Sequence, residues 1–186
     1  MYEQLALLEL AVWLGLPAWI ANAAPVLGGG GRPIDGGAIF RDGSRVLGDG
    51  KTVRGFLVGV IFGTLVGIAQ YFAAPILEPI LAEFVTVTPS MSYVLSMQIP
   101  AAFLMSVGAL TGDLIGSFIK RRVHLKSGAP SPVMDQMGFI IMALIFAYPV
   151  LQPDSVYVVI LTITTLLIHW ISNAMGYLLG LKKNPW

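Results

Sequence analysis

The side chains best suited to chemistry lie where a long apolar segment ends. Residues 84–112 contain no charged residue, and Asp113, Ser117 and three cations from Lys120 to Arg122 follow. An ionisable group at the end of a membrane span is costly to place and marks a candidate functional site. On a helix, Asp113, Ser117 and Lys120 share one face, with Asp113 and Lys120 about 10 Å apart along the axis. This separation suits a metal-bound polyphosphate, although the cations alone also fit an ordinary anchor at the membrane surface.

The glycine-rich stretch 28–54 offers a second set of groups for binding phosphate. Repeated glycines let backbone N–H groups approach a ligand closely, and Gly50-Lys51-Thr52 stands where an apolar segment begins. A complete Walker motif would need glycine at the position of Arg45 and a preceding strand, so a P-loop is excluded. The remaining hypothesis is a phosphate site at a helix N-terminus with Lys51 and Thr52 beside it. The alternative is a flexible glycine-rich linker.

A second carboxylate, Asp135, follows the later hydrophilic loop and is expected opposite Asp113. Two carboxylates with few other ligands suit Mg²⁺, which prefers oxygen and keeps waters and substrate phosphates in its shell. The alternative for Asp135 is a cap at the start of its helix. His124 and His169 lack the spacing of zinc ligands. His169 and Asn173 lie at i and i+4, which also fits a hydrogen-bonded pair inside a helical bundle.

The composition indicates the elements that must position these groups. Of 186 residues, 56% are hydrophobic and 11% are charged, whereas soluble domains carry roughly 25% charged residues. The chain is therefore predicted to be an all-α integral membrane protein with one membrane domain, 1–186. The first apolar stretch lacks a basic n-region and is expected to be a retained span. Five stretches are long enough to cross the bilayer as helices: 5–27, 54–77, 91–117, 136–152 and 156–180. Pro100 is expected to kink the third or to free a carbonyl within it.

The distribution of charge predicts the orientation. All 11 Lys and Arg residues lie in 28–54, in 118–135 or in the C-terminal tail, and the remaining connections carry only acidic charges. The positive-inside rule places the loops 28–53 and 118–135 in the cytoplasm, with the N-terminus outside and the C-terminus inside. An odd number of spans is then required, and five transmembrane helices satisfy it. Function is expected at the cytoplasmic face of a cell membrane.

These residues resemble a known family. The signature Gly-Asp-Leu…Ser…Lys-Arg of CDP-diacylglycerol synthases is matched by Gly112-Asp113-Leu114, Ser117 and Lys120-Arg121. The pattern of their archaeal relatives, the CDP-archaeol synthases, is similar to Asn22…Pro25, Arg32 through Gly37, Gly50 through Gly55, Gly112 through Arg122, Asp135-Gln136, His169…Asn173 and Lys182…Trp186. Bacterial and eukaryotic enzymes carry Asp-Arg-x-Asp where only Asp135-Gln136 stands here. The resemblance therefore does not imply a second metal ion for this chain.

The resemblance implies a cytidylyltransferase reaction. CTP and the phosphate monoester of an unsaturated diether glycerol lipid, 2,3-bis-O-(geranylgeranyl)-sn-glycerol 1-phosphate, would give CDP-archaeol and pyrophosphate. It implies catalytic roles for Asp113, Asp135 and Lys120, with the two aspartates as ligands of a Mg²⁺ cofactor. Substrate contacts are expected from Lys51, Thr52, Ser117, Arg121, Arg122, Asn22, Asp35 and Asn173. The expected partners are CTP, the lipid and the membrane, without nucleic acid; the oligomeric state stays open.

Two other functions compete with this hypothesis. A CDP-alcohol phosphotransferase would need four aspartates in a compact Asp-x-x-Asp-Gly pattern, and the sequence contains no such run. A small membrane transporter would show polar groups in mid-membrane on several spans and often an inverted repeat. The polar groups here cluster at one face of the membrane, which favours the enzyme.

Overall fold

Six helices form the regular structure of the part of the chain that the computed structural model describes, residues 2–125 and 131–178. They are α1 (Tyr2–Gly28), α2 (Val53–Ala82), α3 (Pro89–Leu95), α4 (Ile99–Arg122), α5 (Pro132–Ala147) and α6 (Ser155–Leu178). Within these described residues, α1, α2, α4 and α6 are long and apolar enough to cross a membrane, and α5 is a shorter apolar helix. The tail with Lys182 and Lys183 lies outside the described residues.

The stretch 91–117 is not one kinked helix, so that prediction is wrong. The short helix α3 ends at Leu95, Ser96 to Gln98 are not helical, and α4 begins at Ile99. Pro100 lies in the first turn of α4. A proline is well tolerated there, because the N–H that it lacks would have no partner within the helix. Pro100 therefore starts a helix instead of bending one.

Glycines bring α2 close to its neighbours. Gly55, Gly59, Gly63 and Gly67 recur at every fourth position and are buried. A methyl group on Gly59 would lie 2.5 Å from the backbone oxygen of Ala21 in α1 and 2.8 Å from Leu110 in α4. Small residues at such spacing allow helix backbones to approach closely in a membrane, where packing and not water drives association. The face of α2 is thus shaped to fit α1 and α4 together.

A second close contact joins α4 to α5. A methyl group on Gly108 would lie 2.5 Å from the backbone oxygen of Met142, and one on Gly112 would lie 2.8 Å from the Cα of Phe139. Asp113 directly follows Gly112 in α4. Glycine packing therefore fixes the backbone position of the first candidate carboxylate.

Polar side chains within the bundle are used for structure. The indole of Trp13 donates to the backbone oxygen of Leu95 at 3.0 Å, and the indole of Trp19 donates to the hydroxyl of Thr165 at 3.1 Å. The amide of Gln70 donates to the backbone oxygen of Trp13 at 2.6 Å. These bonds tie α1 to α2, α6 and the end of α3.

Candidate active site at the end of helix α4

The loop between α1 and α2 is a folded structure with Asp35 at its centre. The side chain of Asp35 is only 2% exposed. It accepts hydrogen bonds from the guanidinium of Arg45 at 2.8 Å and from the backbone N–H groups of Leu47 at 3.0 Å and Gly37 at 3.1 Å. Burial alone would raise the pKa of Asp35, but these hydrogen bonds outweigh it and hold the pKa well below its ordinary value. The ionised carboxylate thus organises the loop.

The first part of this loop is hydrogen-bonded to the residues at the start of α2. The N–H of Ile34 donates to the backbone oxygen of Lys51 at 2.8 Å, and the N–H of Val53 donates to that of Arg32 at 3.1 Å. Thr52 is the N-cap of α2, and its buried hydroxyl accepts from the N–H of Gly55 at 3.1 Å. The position of Lys51 beside a helix N-terminus is therefore fixed by backbone hydrogen bonds on both sides.

Lys51 reaches across to α4 and pairs with Asp113. Its ammonium lies 2.6 Å from Oδ2 and 2.8 Å from Oδ1 of that carboxylate. The two side chains are 28% and 33% exposed, so solvent reaches both charges. A cation predicted to bind phosphate and a carboxylate predicted to bind metal are brought together from positions 62 residues apart.

The pair borders a cavity of about 260 Å³ between α1, α2, α4 and the loop. Its lining comprises Asn22, Pro25, Val26, Ile34, Gly50, Lys51, Thr52, Gly55, Phe56, Leu110, Asp113 and Leu114. The lining combines an amide, an ammonium, a carboxylate and a helix N-terminus with apolar side chains. The positive end of the α2 dipole and the lysine favour an anion there. The apolar part of the lining suits a ligand that is partly in the membrane.

The second candidate carboxylate lies in a separate pair. The ammonium of Lys120 is 2.6 Å from Oδ1 of Asp135, and the side chains are 12% and 37% exposed. The other oxygen of Asp135 accepts from the N–H of Ser131 at 3.0 Å, which satisfies a backbone group at the start of α5. Asp135 therefore has the expected capping contact as well as a cationic partner.

The donor atoms present can hold magnesium. Among the described residues, no group of three or more His, Cys, Asp and Glu side chains could enclose a metal ion. Magnesium does not need such a cage, because one or two carboxylates complete its shell together with waters and substrate phosphates. Asp113, with the amide of Asn22 and the hydroxyl of Thr52 on the same cavity, fits that requirement.

The remaining predicted residues do not line the cavity. Ser117 donates from its hydroxyl to the backbone oxygen of Leu47 at 2.9 Å and so holds the loop. Arg121 is buried, with 6% of its surface exposed, and Asn173 is partly buried on α6. The predicted residues that line the cavity are Asn22, Lys51, Thr52 and Asp113; those that do not are Asp35, Ser117, Lys120, Arg121, Arg122, Asp135 and Asn173.

Arg45 and Asp42 are contributors that the sequence pattern did not single out. Arg45 pairs with Asp35 and Asp49, and Asp42 pairs with Arg122 at 3.2 Å. The only signal in the sequence is that charges of both signs alternate through a glycine-rich loop. Such alternation does not say which charges meet.

The chain is similar to known proteins along nearly its whole length. The family model described as CarS-like: CDP-archaeol synthase matches residues 4–186. The chain is 51% identical over 176 residues to the CDP-archaeol synthase of Thermococcus kodakarensis, with 95% of each chain covered. It is 42% identical over 185 residues to that of Methanopyrus kandleri, with 97% of this chain and 96% of the relative covered.

A solved structure gives the same result at the level of the fold. It is described as an intramembrane enzyme for archaeal membrane lipids biosynthesis, and it matches with a TM-score of 0.67 and 38% identity over 88% of this chain and 92% of that chain. The prediction of an all-α membrane protein is thereby confirmed. The family model and the relatives extend along nearly the whole sequence, and the chain belongs to the CDP-archaeol synthase family.

Proposed function

We propose that the protein transfers the cytidylyl group of CTP to the phosphate of an unsaturated diether glycerol lipid, forming CDP-archaeol and pyrophosphate. The observation that carries this proposal is the Lys51–Asp113 pair on a cavity lined by both polar and apolar side chains. A nucleotide from water and a lipid phosphate from the bilayer can meet at such a boundary. The relatives named CDP-archaeol synthase support the same substrates.

The reaction needs positioning more than covalent help from the protein. An oxygen of the lipid phosphate attacks the α-phosphorus of CTP, and the bond from that phosphorus to the bridging oxygen breaks as pyrophosphate leaves. The site must bring several negative charges together, and fixed cations that match the transition state supply most of the rate. Lys51 and the N-terminus of α2 bind phosphate oxygens at the cavity, and Lys120 and Arg121 support the polyphosphate from α4.

Magnesium is the proposed cofactor, held by Asp113 and Asp135. When bound, it would neutralise charge on the polyphosphate and polarise the phosphoryl oxygen. Asp113 lines the cavity beside Asn22 and Thr52, whereas Asp135 lies one helix away and is paired with Lys120. The close packing of α4 on α5 supports a shared role for the two carboxylates. Asn173 on α6 remains a proposed substrate contact.

We also propose five membrane spans in a single domain, with the N-terminus outside and the active site facing the cytoplasm. The fourth of these spans is α5, whose 16 residues would extend about 24 Å. The positive charges of the α1–α2 loop and of the end of α4 support this orientation. A cytoplasm-only reporter fused to the C-terminus should be active, and a silent reporter in a well-expressed fusion would reverse it.

The direct test is turnover by the purified protein. Radiolabelled CTP and the diether lipid phosphate should give labelled CDP-lipid and pyrophosphate in a one-to-one ratio, EDTA should stop the reaction and Mg²⁺ should restore it. Asp113→Asn is the inactive control. A phosphotransferase would instead consume CDP-lipid and release CMP, and a transporter would do neither. A folded protein that is inert with both substrates would overturn the proposal.

A further inference from the structure

The side chain of Arg122 is held by contacts with the α1–α2 loop. Its guanidinium carbon lies 4.3 Å from the ring centroid of Phe40 in the loop and 4.8 Å from that of Phe118 on α4. The two rings meet edge to face, with centroids 5.6 Å apart and planes at 90°. A guanidinium over aromatic faces is attracted by their quadrupoles and excludes water from the contact. Arg122 thus joins an aromatic residue of the loop to one of the helix.

One nitrogen of Arg122 also donates a hydrogen bond to the loop, and a second lies close to a carboxylate of the loop. Nη2 donates to the backbone oxygen of Arg45 at 2.5 Å, and Nε lies 3.2 Å from Oδ2 of Asp42. The side chain is 19% exposed. A guanidinium engaged in this way by a ring, a carbonyl and a carboxylate of one loop has a structural task that does not need phosphate.

The contacts of Arg122 continue towards the cavity. Arg45, whose backbone it holds, binds Asp35, and Asp35 accepts from the N–H of Leu47. The backbone oxygen of Leu47 is bound by Ser117 on α4. Four residues later in the loop, Lys51 meets Asp113 on the same helix. The loop is thus fixed to α4 by contacts that begin at Arg45 and end at Lys51.

We propose that Arg122 is a positioning residue, which docks the α1–α2 loop on α4 and thereby places Lys51 opposite Asp113. The effect of Arg122 on turnover rests on the function proposed above, whereas its docking of the loop does not. Arginine suits this task better than lysine, because its planar guanidinium stacks on rings while an N–H at its edge donates a hydrogen bond. A phosphate ligand, in contrast, would keep much of its effect as a lysine, since the positive charge remains.

Hydrogen exchange of the loop amides, followed by mass spectrometry without substrate, tests the docking. The N–H groups of Val46 and Leu47 are bonded to Ala38 and Asp35, so their exchange reports opening of the loop. Arg122→Ala and Arg122→Lys should both speed this exchange about tenfold, because each loses the guanidinium that stacks on the rings and binds the loop. Arg41→Ala removes an exposed cation from the same loop and should leave exchange unchanged.

A change on the loop side separates docking from a loss of folding. Phe40→Leu leaves α4 intact and should reproduce the faster exchange of the Arg122 variants. In turnover, Arg122→Lys should lower kcat about as much as Arg122→Ala, with little change in KM for CTP. Normal loop exchange in folded Arg122→Lys and Phe40→Leu proteins would overturn the inference. If exchange rises as expected but wild-type protein is inert with CTP and lipid phosphate, docking stands and the proposed function fails.

Discussion

Replacing Lys51 by methionine should have opposite effects on cation binding and on turnover. Methionine keeps the unbranched length of the side chain but removes the ammonium that contacts both oxygens of Asp113 at 2.6 and 2.8 Å. The carboxylate then lacks its cation, and the cavity lacks a donor for phosphate. In the protein without nucleotide, a divalent cation should therefore bind more tightly to Lys51→Met than to the wild type.

The size of each effect follows from the exposure of the pair. Because the side chains are 28% and 33% exposed, solvent screens the interaction and the ion pair contributes about 1 kcal/mol. Its loss should raise affinity for a divalent cation about fivefold, since 1.4 kcal/mol corresponds to a factor of ten. Turnover has the larger effect, because a charge-assisted hydrogen bond to substrate contributes about 1.5–3 kcal/mol, and kcat/KM for CTP should fall roughly 10- to 100-fold.

Both quantities can be measured on the same purified proteins. The electron paramagnetic resonance signal of free Mn²⁺ gives the dissociation constant without nucleotide, and labelled CTP gives kcat/KM. Arg41→Met, which removes an exposed cation from the same loop, is the matched control and should change neither. The double variant with Lys51→Met and Asp113→Asn should not show the tighter Mn²⁺ binding expected of Lys51→Met alone. Equal or weaker Mn²⁺ binding by folded Lys51→Met would refute the view that lysine and divalent cation compete for Asp113.

Further predictions concern the two carboxylates, the loop and the helix contact. Asp113→Asn and Asp135→Asn should each lower kcat by orders of magnitude in radiolabelled turnover while the protein still extracts as a folded species, since each removes a proposed ligand. Because the pKa of Asp35 in the folded protein is lowered, its stabilisation of the loop is fully present above the ordinary carboxyl pKa of about 4 and is lost progressively as pH falls from there through the lowered pKa. Asp35→Asn should give fast loop hydrogen exchange already at neutral pH. Gly112→Ala should lower thermal stability by about 1–3 kcal/mol through overpacking against Phe139, measured by unfolding in detergent.

The apolar parts of the fold could be predicted because bilayer physics acts on single residues. Hydropathy located helices near 5–27, 54–77 and 156–180, since each must bury a continuous apolar run in lipid. The same reasoning wrongly predicted α3 and α4 as one helix, because the non-helical residues Ser96 to Gln98 carry no charge. A hydropathy window cannot detect a proline that opens a helix. The error there was one of local backbone geometry and not of environment.

The candidate site could be predicted by residue type and not by partner. The spacing of Asp113, Ser117 and Lys120 correctly indicated groups at one end of one helix. Their partners, however, come from a different loop and a different helix: Lys51, the backbone of Leu47, and Asp135. These pairings depend on how an irregular loop folds around Asp35, and no periodicity of the sequence encodes that. Arg122 shows the same limit, because its charge suggested phosphate while its contacts lie with the loop.

The pairing itself has a physical reason that joins fold and function. Two carboxylates and two lysines near a membrane surface would each be costly if left unpaired at low dielectric. In the structure each lysine neutralises one carboxylate, Lys51 with Asp113 and Lys120 with Asp135. The site is thereby neutral at these four groups before substrate arrives. A ligand that brings a divalent cation and phosphates together can replace both partners of an ion pair at once, because the cation binds the carboxylate and the phosphates bind the lysine. A cation or a phosphate alone would leave one of the two charges unpaired. Binding of metal and nucleotide should therefore be mutually dependent, and the Lys51→Met protein should lose that dependence at Asp113.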